Sequence, residues 1–504
     1  MNNIPDNLSN YLLHQRWCNF KSEIQNNQIK NISLNQTTYD NDNKLLIIGN
    51  VEFINQENKY FLMPLSKNNN PLPSQTIKIN NQHYSDATQC ADFWSSLINH
   101  LQQNQNTITF PNGWQLKYHI NHDNTKINDN LHSISKPLNI EQSNTTIVVG
   151  NKEIAFKLER ILSFSSQNNP EIEMNEKLMR ENCSVMPKTY GYLTISNSSG
   201  QHSSSGIIQE FIINKGDMWN HSLEYLKNKL NTEYPYKNTL TSGNCPEFIN
   251  LFSILSQKTA EMSKCLSKPD NNHQFTPKIV DDNFIHYYQK QLSVLLYQSH
   301  NYIKQNIQNL PNSTQKIANK LLKSWNTSTN NFILSQINKI KNSDNKGYIC
   351  RVHGDFHLGQ IMITHDEDLR IIDFAGEPGL PIEQRKEKHI YMRDYAGMYR
   401  SIKGYLEAVA IEEFTSQATT KEEQKHRKQY AEKALKPLIN EASHLFLGKH
   451  SLDNPWLKLE ILRKNLYEIN YEVCNRPKMA HIPINGLNLL LNNHQPQISK
   501  KLSR

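Results

Sequence analysis

The chain has 504 residues, 37% hydrophobic and 20% charged, which is too long for one ordinary compact domain and too apolar for a disordered chain. The formal net charge of +8 is scattered without a dense basic arm interleaved with aromatics, which argues against a nucleic-acid partner and weakly suits an anionic ligand such as a nucleotide. Seven cysteines lie far apart, odd in number and without CxxC or Cys/His metal spacing, so reduced thiols are expected. The N-terminus lacks a basic segment followed by an apolar one, and no apolar run reaches spanning length. The expectation is a cytoplasmic protein with no signal peptide and no membrane partner.

Strand-like pieces come first: KLLIIGNVEFI and KYFLMPLS are rich in β-branched and aromatic residues and bounded by Asn, Lys and Pro. A helix is predicted in ADFWSSLINHLQQ, where Phe93, Leu97 and Leu101 recur at helical spacing. Short strands resume in WQLKYHI, TTIVVG, EIAFKLE, YGYLTI and GIIQEFI. Among them NPEIEMNEKLMREN announces a helix, with Asn169 as N-cap and Pro170 at its first position. From about residue 216 the pattern is mainly helical, with no internal repeat. Asn- and Gln-rich tracts such as HINHDNTKINDN are expected to be surface loops. A β-rich first third, a small sheet with one helix and a large helical lobe predict an α+β protein with a cleft between lobes.

The stretch RVHGDFHLGQIMITHDEDLRIIDFAGEP, Arg351 to Pro378, interrupts the helical part. It enters as an apolar strand, breaks at Gly354, leaves as a second strand, and a third ends on Asp373. Two carboxylates, Asp355 and Asp373, thus sit near strand ends with the amide Gln360 between them. Phosphoryl transfer needs such a set: one carboxylate takes the proton of the attacking hydroxyl, while a second acid and an amide oxygen hold Mg²⁺ against the phosphates of ATP. Oxygen ligands suit Mg²⁺ because it is a hard cation. The order His353-x-Asp355, Gln360 five residues on, then Asp373-Phe374 follows the catalytic and metal loops of kinases. The plainer alternative is a hairpin whose acids cap turns. His357 is expected to brace the loop, and Asp366, Glu367 and Asp368 to be turn residues.

With HGDFHLGQ, IIDFAGEP and RDYAGMYRS in this order, the chain resembles the maltokinases, relatives of the aminoglycoside phosphotransferase-type kinases. YLLHQRWCNFK is similar to the start of their cap domain, EQSNTTIVVGNKEIAFKLERI with NPEIEMNEKL to their nucleotide-binding subdomain, GIIQEFIINKGDMW to their hinge, and KNLYEINYEVCNRP to their C-terminal helix. The resemblance implies a bilobal protein-kinase-like fold with an extra β-rich N-terminal cap. Its parts would be a cap over 1–105, a nucleotide-binding lobe over 106–215, and a helical lobe over 216–504 with the catalytic and sugar sites. It further implies transfer of the γ-phosphate of ATP, with Mg²⁺, to the anomeric hydroxyl of maltose, giving maltose 1-phosphate and ADP. That would place the chain between trehalose and α-glucan, with a trehalose synthase as candidate partner. Two other readings stay open: a same-fold kinase for glucosamine, trehalose or an aminoglycoside, and a pseudokinase that binds sugar or protein. The family's DFEGEP is DFAGEP here, so an acid is lost at Ala375 while Glu377 remains; Cys18 replaces an aromatic and Ser263 a histidine.

The remaining roles follow from the resemblance set beside the residues. Lys157, in an alternating strand, would neutralise nucleotide phosphates; alone it reads as a solvated strand lysine. Its partner by resemblance is Glu173, with Glu171 and Glu176 as alternatives, and Glu171 also suits the helix N-terminus. No GxGxxG precedes Lys157, and Ser143, Asn144 and Thr145 would cradle phosphates, or form one more Asn-rich turn. Gln209, Glu210 and Phe211 would hold adenine through backbone groups. Asp217 and Trp219 read equally as a helix cap and a core aromatic. Asp394 would brace the catalytic loop from behind, or N-cap its own helix. Glu377 is placed with it as a supporting residue. In the helix from Pro455 to Asn475, Leu459, Leu462, Leu466, Ile469 and Val473 form an apolar stripe. Lys464, Glu468, Glu472 and Arg476 form a second row, which alone is an i,i+4 ion-pair ladder on a solvated face. With Tyr467 and Tyr471 beside them, Glu468, Glu472 and Arg476 are assigned to the sugar, as is His353.

Overall fold

The computed structural model describes residues 7–15, 17–40, 43–68, 76–121, 136–137, 145–149, 154–165, 169–236, 239–377 and 380–492. The chain divides into two units, Met1–Ile213 and Asn214–Arg504.

The first unit is built on two antiparallel sheets. One runs in the order Ile29–Asp40, Lys44–Phe53, Lys59–Lys67, Gln82–Asp86, Thr76–Ile79, and Ile161–Leu162 also pairs with Lys59–Lys67. The other runs Thr107–Thr109, Gln115–Ile120, Thr189–Ser196, His202–Glu210, Ile154–Leu158, Thr145–Val149, Lys136–Pro137. The strand Lys44–Phe53 is apolar almost throughout because both its faces are covered. Its two-residue period sends Leu46 and Ile48 into one core and Leu45, Ile47 and Val51 into another. The first core takes Phe93, Trp94 and Leu97 from the helix Ala91–Gln103 and Phe156, Leu193 and Ile208 from the second sheet. The second core holds Tyr11, Phe20 and Phe61. Gly49 is glycine because a Cβ there would lie 2.0 Å from the Phe61 ring.

Residue 105 is not a boundary between compact units. The helix Ala91–Gln103 supplies one core to both sheets, and the chain returns to the first sheet immediately after the strand that carries Lys157. There the buried Arg160 donates from Nε to the Leu62 carbonyl (2.8 Å) and from Nη2 to Asp86 (2.7 Å). A sequence read element by element misses this return, which is made by two residues and one arginine.

His119, in Gln115–Ile120, stacks on Tyr192 with ring centroids 4.5 Å apart and meets Thr194 Oγ1 at 2.8 Å. Burial, with Lys117 and His202 nearby, pushes its pKa down to about 4. The unfolded chain takes up this proton near pH 6.5. Stability from this group is therefore fully present above pH 6.5 and is lost as pH falls towards about 4. We expect the thermal midpoint to decline over that window and His119→Gln to flatten the decline; equal slopes in both proteins would refute it.

The second unit is helical around two small sheets. One has the order Asn214–Asp217, Ile361–Thr364, Leu369–Ile371, the other Lys278–Ile279, Tyr348–Cys350, His389–Ile390. The helix Pro455–Asn475 packs against Asp282–Asn306, Trp325–Lys341, Met392–Tyr399 and His481–Asn492. Being surrounded, it buries its leucine stripe and also Glu460, Arg463, Lys464, Glu468 and Glu472. The solvated ladder that its spacing allows is thus not what forms. Among the described residues no helix is long and apolar enough to cross a membrane.

Candidate active site

The strand Tyr348–Cys350 leads into the loop that carries Asp355. Gly354 turns the chain at φ +87°, a left-handed value that costs glycine little, and a Cβ there would come within 3.3 Å of Gly376. The turn is clamped from the helix Met392–Tyr399. Asp394 Oδ2 accepts the His353 N–H at 2.8 Å and Oδ1 the Gly354 N–H at 3.0 Å. Burial raises the Asp394 pKa, opposed by His353 and these two N–H groups. Its side chain holds the loop, and no side chain caps the start of that helix.

His353 is fully buried, its Nε2 3.0 Å from the Ile372 carbonyl and its ring against Phe374 (4.8 Å) and Phe356 (5.3 Å). This corrects its assignment to the sugar: the side chain points beneath the loop, and it fixes the loop to the strand that delivers Asp373.

Asp355 Oδ1 lies 3.3 Å from Lys464 Nζ and Oδ2 3.8 Å from His357 Nε2. His357 Nδ1 accepts the Gly359 N–H at 3.1 Å, which leaves the ring proton on Nε2, on the Asp355 side. Burial lowers the His357 pKa, so the ring braces the loop in its neutral form. A short hairpin, Ile361–Thr364 with Leu369–Ile371, then sets Gln360 Nε2 3.2 Å from Asp373 Oδ2. Asp373 itself sits at φ +67°, a conformation that short acidic side chains tolerate. Asp368 is held by Lys258 at 3.0 Å and Glu367 by Lys215 at 3.0 Å, as turn residues.

Asp355 opens into a pocket of about 500 Å³, within the roughly 300–1,000 Å³ usual for small-molecule sites. Tyr467, Glu468, Tyr471, Glu472 and Arg476 all line it, together with Lys464, Tyr405 and Trp219. Glu468 Oε2 accepts from Arg400 Nε (3.0 Å) and Nη2 (2.8 Å). Glu472 accepts from the Tyr405 hydroxyl at 3.0 Å and from Arg476 at 2.6 and 2.9 Å. Arg476 also covers the Tyr471 ring at 5.1 Å. Asp217 N-caps Met218–Glu233 through Asn220 N at 2.8 Å, and Trp219 of that helix faces the pocket.

Lys464, which lines this pocket, and Arg400, which holds Glu468 behind it, were not assigned to the site in the sequence. Lys464 lies between Asp355 and Glu377, 3.8 Å from Glu377 Oε1, and 4.8 Å above the Tyr467 ring. Its place in the row with Glu468 and Glu472 was the available signal. Arg400 opens a π-helical turn, Arg400–Leu406, a distortion frequent at functional sites. Gly404 and Gly486 make room for it, since a Cβ at either would fall 2.7 and 2.6 Å from Arg400 Nη1. Nothing local in the sequence marks a buried arginine there. Glu377 is buried, with Oε2 3.8 Å from Arg463 Nη1.

In the first unit, Lys157 Nζ is gripped by both carboxylate oxygens of Glu171, at 2.8 and 2.9 Å. Glu173, the partner expected by resemblance, is also buried, and Glu171, the alternative, makes the bond seen here. The reason is the cap: Asn169 accepts the Glu171 N–H at 2.8 Å and starts the helix where its first acid meets the strand. Glu176 instead bonds Tyr192, and burial raises its pKa. Thr145 begins a strand, whereas Ser143 and Asn144 lie outside the described residues. Gln209 and Glu210 end the strand His202–Glu210; Gln209 Nε2 donates to Thr189 Oγ1 (3.2 Å) and the Glu210 N–H to the Lys188 carbonyl (2.8 Å). Phe211, just beyond, is half-buried.

No protein-family model matches the chain. It is similar to the solved structure of a glucosamine kinase (crystal form B), with a TM-score of 0.58 at 14% identity over 92% of this chain and 94% of that one. A glucosamine kinase in complex with glucosamine, ADP and inorganic phosphate gives 0.57 at 15% identity over 92% and 94%. An AMP-bound spectinomycin phosphotransferase gives 0.38 at 12% identity over 72% and 94%. The fold is α+β, of the bilobal, protein-kinase-like class, with an additional β-rich N-terminal part.

Proposed function

We propose that the chain is an ATP-dependent sugar kinase that phosphorylates the anomeric hydroxyl of maltose, giving maltose 1-phosphate and ADP. The observation that carries this reading is the opening of Asp355 into a pocket lined by three tyrosines, two buried carboxylates and an arginine. Such residues hold hydroxyls by hydrogen bonds and ring faces by stacking. Asp355 accepts the proton of the attacking hydroxyl, whose oxygen bonds the γ-phosphorus as the bond to ADP breaks. Lys464 holds the Asp355 carboxylate in position.

Gln360 and Asp373 lie side by side, with the amide Nε2 3.2 Å from Asp373 Oδ2, and a half-turn of the amide would put its oxygen beside the carboxylate. This fits Mg²⁺, which takes one or two protein oxygens and completes its shell with phosphates and water. When bound, the cation would neutralise charge on the transferred group. Lys157 is assigned to the nucleotide phosphates and Glu171 to holding it. Glu171→Gln is then expected to raise KM for ATP about tenfold through loss of a charge-assisted bond; an unchanged KM would remove this role.

Glucosamine is the second reading, favoured by the likeness to a glucosamine kinase over most of both chains. A panel of maltose, glucose, trehalose, glucosamine and an aminoglycoside with Mg·ATP decides between them. Maltose should be consumed and its 1-phosphate identified by phosphorus NMR. Turnover of another acceptor but never maltose would overturn the maltose reading. Sugar binding with no ATP consumption by any acceptor would favour a pseudokinase. A place between trehalose and α-glucan and a trehalose synthase partner rest on the maltose reading.

A further inference from the structure

The second unit holds another cleft, of about 390 Å³. One wall is aromatic and comes from the helix Asp282–Asn306, through Phe284, Tyr287 and Tyr288. Tyr287 is at the rim, and its hydroxyl bonds Glu387 at 3.0 Å, which presets the ring. The floor is charged. Glu460 Oε2 lies 2.7 Å from Arg463 Nε and 3.5 Å from Arg393 Nε, and Glu377 Oε2 lies 3.8 Å from Arg463 Nη1.

Two arginines against two glutamates leave this floor near neutral. His389 adds no charge, since burial and then Arg393, Arg463 and Arg351 hold its pKa well below the ordinary value. A phosphate or carboxylate ligand therefore finds no uncompensated positive charge. The polar capacity is nonetheless unfilled. Glu460 Oε1, the Tyr288 hydroxyl and Arg393 Nε are buried and make no well-formed hydrogen bond among the described residues, with Glu460 close enough to help raise the Tyr288 pKa, while Glu377 Oε1 turns to Lys464 at 3.8 Å. Leaving such a buried group without a partner is costly. A carboxylate oxygen needs a donor and a guanidinium N–H an acceptor, both of which a hydroxyl supplies, and flat aromatic faces suit the C–H faces of a ring.

We infer that this cleft is a second binding site, for a neutral polyhydroxylated ring of about monosaccharide size. The site needs no phosphoryl transfer and stands independently of the kinase reading. It adjoins the first pocket, because Tyr467 lines both and Glu377 faces Lys464 across the partition.

The test uses the full chain without nucleotide, titrated with glucose, maltose and trehalose, and read by calorimetry and amide hydrogen exchange. Binding should protect the helix Asp282–Asn306. Tyr288→Phe, which keeps the ring, and Tyr287→Ala, at the exposed rim, should each weaken that event about tenfold. Both should leave protection near Tyr471 to Arg476 unchanged, whereas Arg476→Met should remove the latter alone. Thermal unfolding checks that each variant is folded. Absence of protection in Asp282–Asn306 with all three sugars, the result if only water fills the cleft, overturns the proposal. So does protection that neither tyrosine variant weakens.

Discussion

Asp355→Asn is expected to lower kcat by about two to four orders of magnitude, the range for loss of a positioned general base. The amide keeps the shape of the carboxylate but cannot accept the proton of the attacking hydroxyl. The fold should tolerate the change. Asp355 is partly exposed at the pocket, and Lys464 retains Glu377 at 3.8 Å as a counter-charge when its Asp355 partner at 3.3 Å is neutralised. ADP release with the sugar panel, alongside an unfolding curve, is the measurement. A folded Asn variant with undiminished turnover would rule Asp355 out as the base.

Asp394→Ala should damage both stability and activity. Its two oxygens serve two different N–H groups, those of His353 and Gly354, inside the protein. Alanine leaves both donors buried and unpaired at about 1–3 kcal/mol each, so a loss of roughly 2–6 kcal/mol is expected in urea unfolding. The same two bonds fix the turn before Asp355, and positional slack of about 1 Å at a reacting group can cost 10²-fold in rate. Asp394→Asn separates the contributions. Its single carbonyl oxygen satisfies one N–H well, so it should fall between wild type and alanine in both measurements. Equal stability of the alanine variant and wild type would show that the clamp contributes nothing.

The comparison of these residues explains what could be read in advance. Gln360 and Asp373 flank one hairpin and Asp355 lies in the loop that leads into it, where each residue's neighbours are nearby in sequence and turn chemistry is decided locally. The Asn169–Pro170 start and the Ala91–Gln103 helix were legible for the same reason. His353 shows the limit. Its alternation along the chain does not reveal that Phe374 and the Ile372 carbonyl lie beneath it. Glu171 and Glu173 are two residues apart, and only the docking of their helix on the strand selects the one that grips Lys157 bidentately.

By itself the sequence determined the order of elements, the two-residue and helical periods that set their faces, and the acid–amide–acid spacing of the loop. Tertiary structure decided which charges are buried and with whom. Lys464 meets Asp355 across 109 residues, Arg400 meets Glu468 across 68, and Asp394 reaches His353 across 41. The row Lys464, Glu468, Glu472 has the spacing of a solvated ladder. It becomes a pocket wall because other helices surround it and exclude water, and a charge deprived of water must find a partner wherever the fold supplies one.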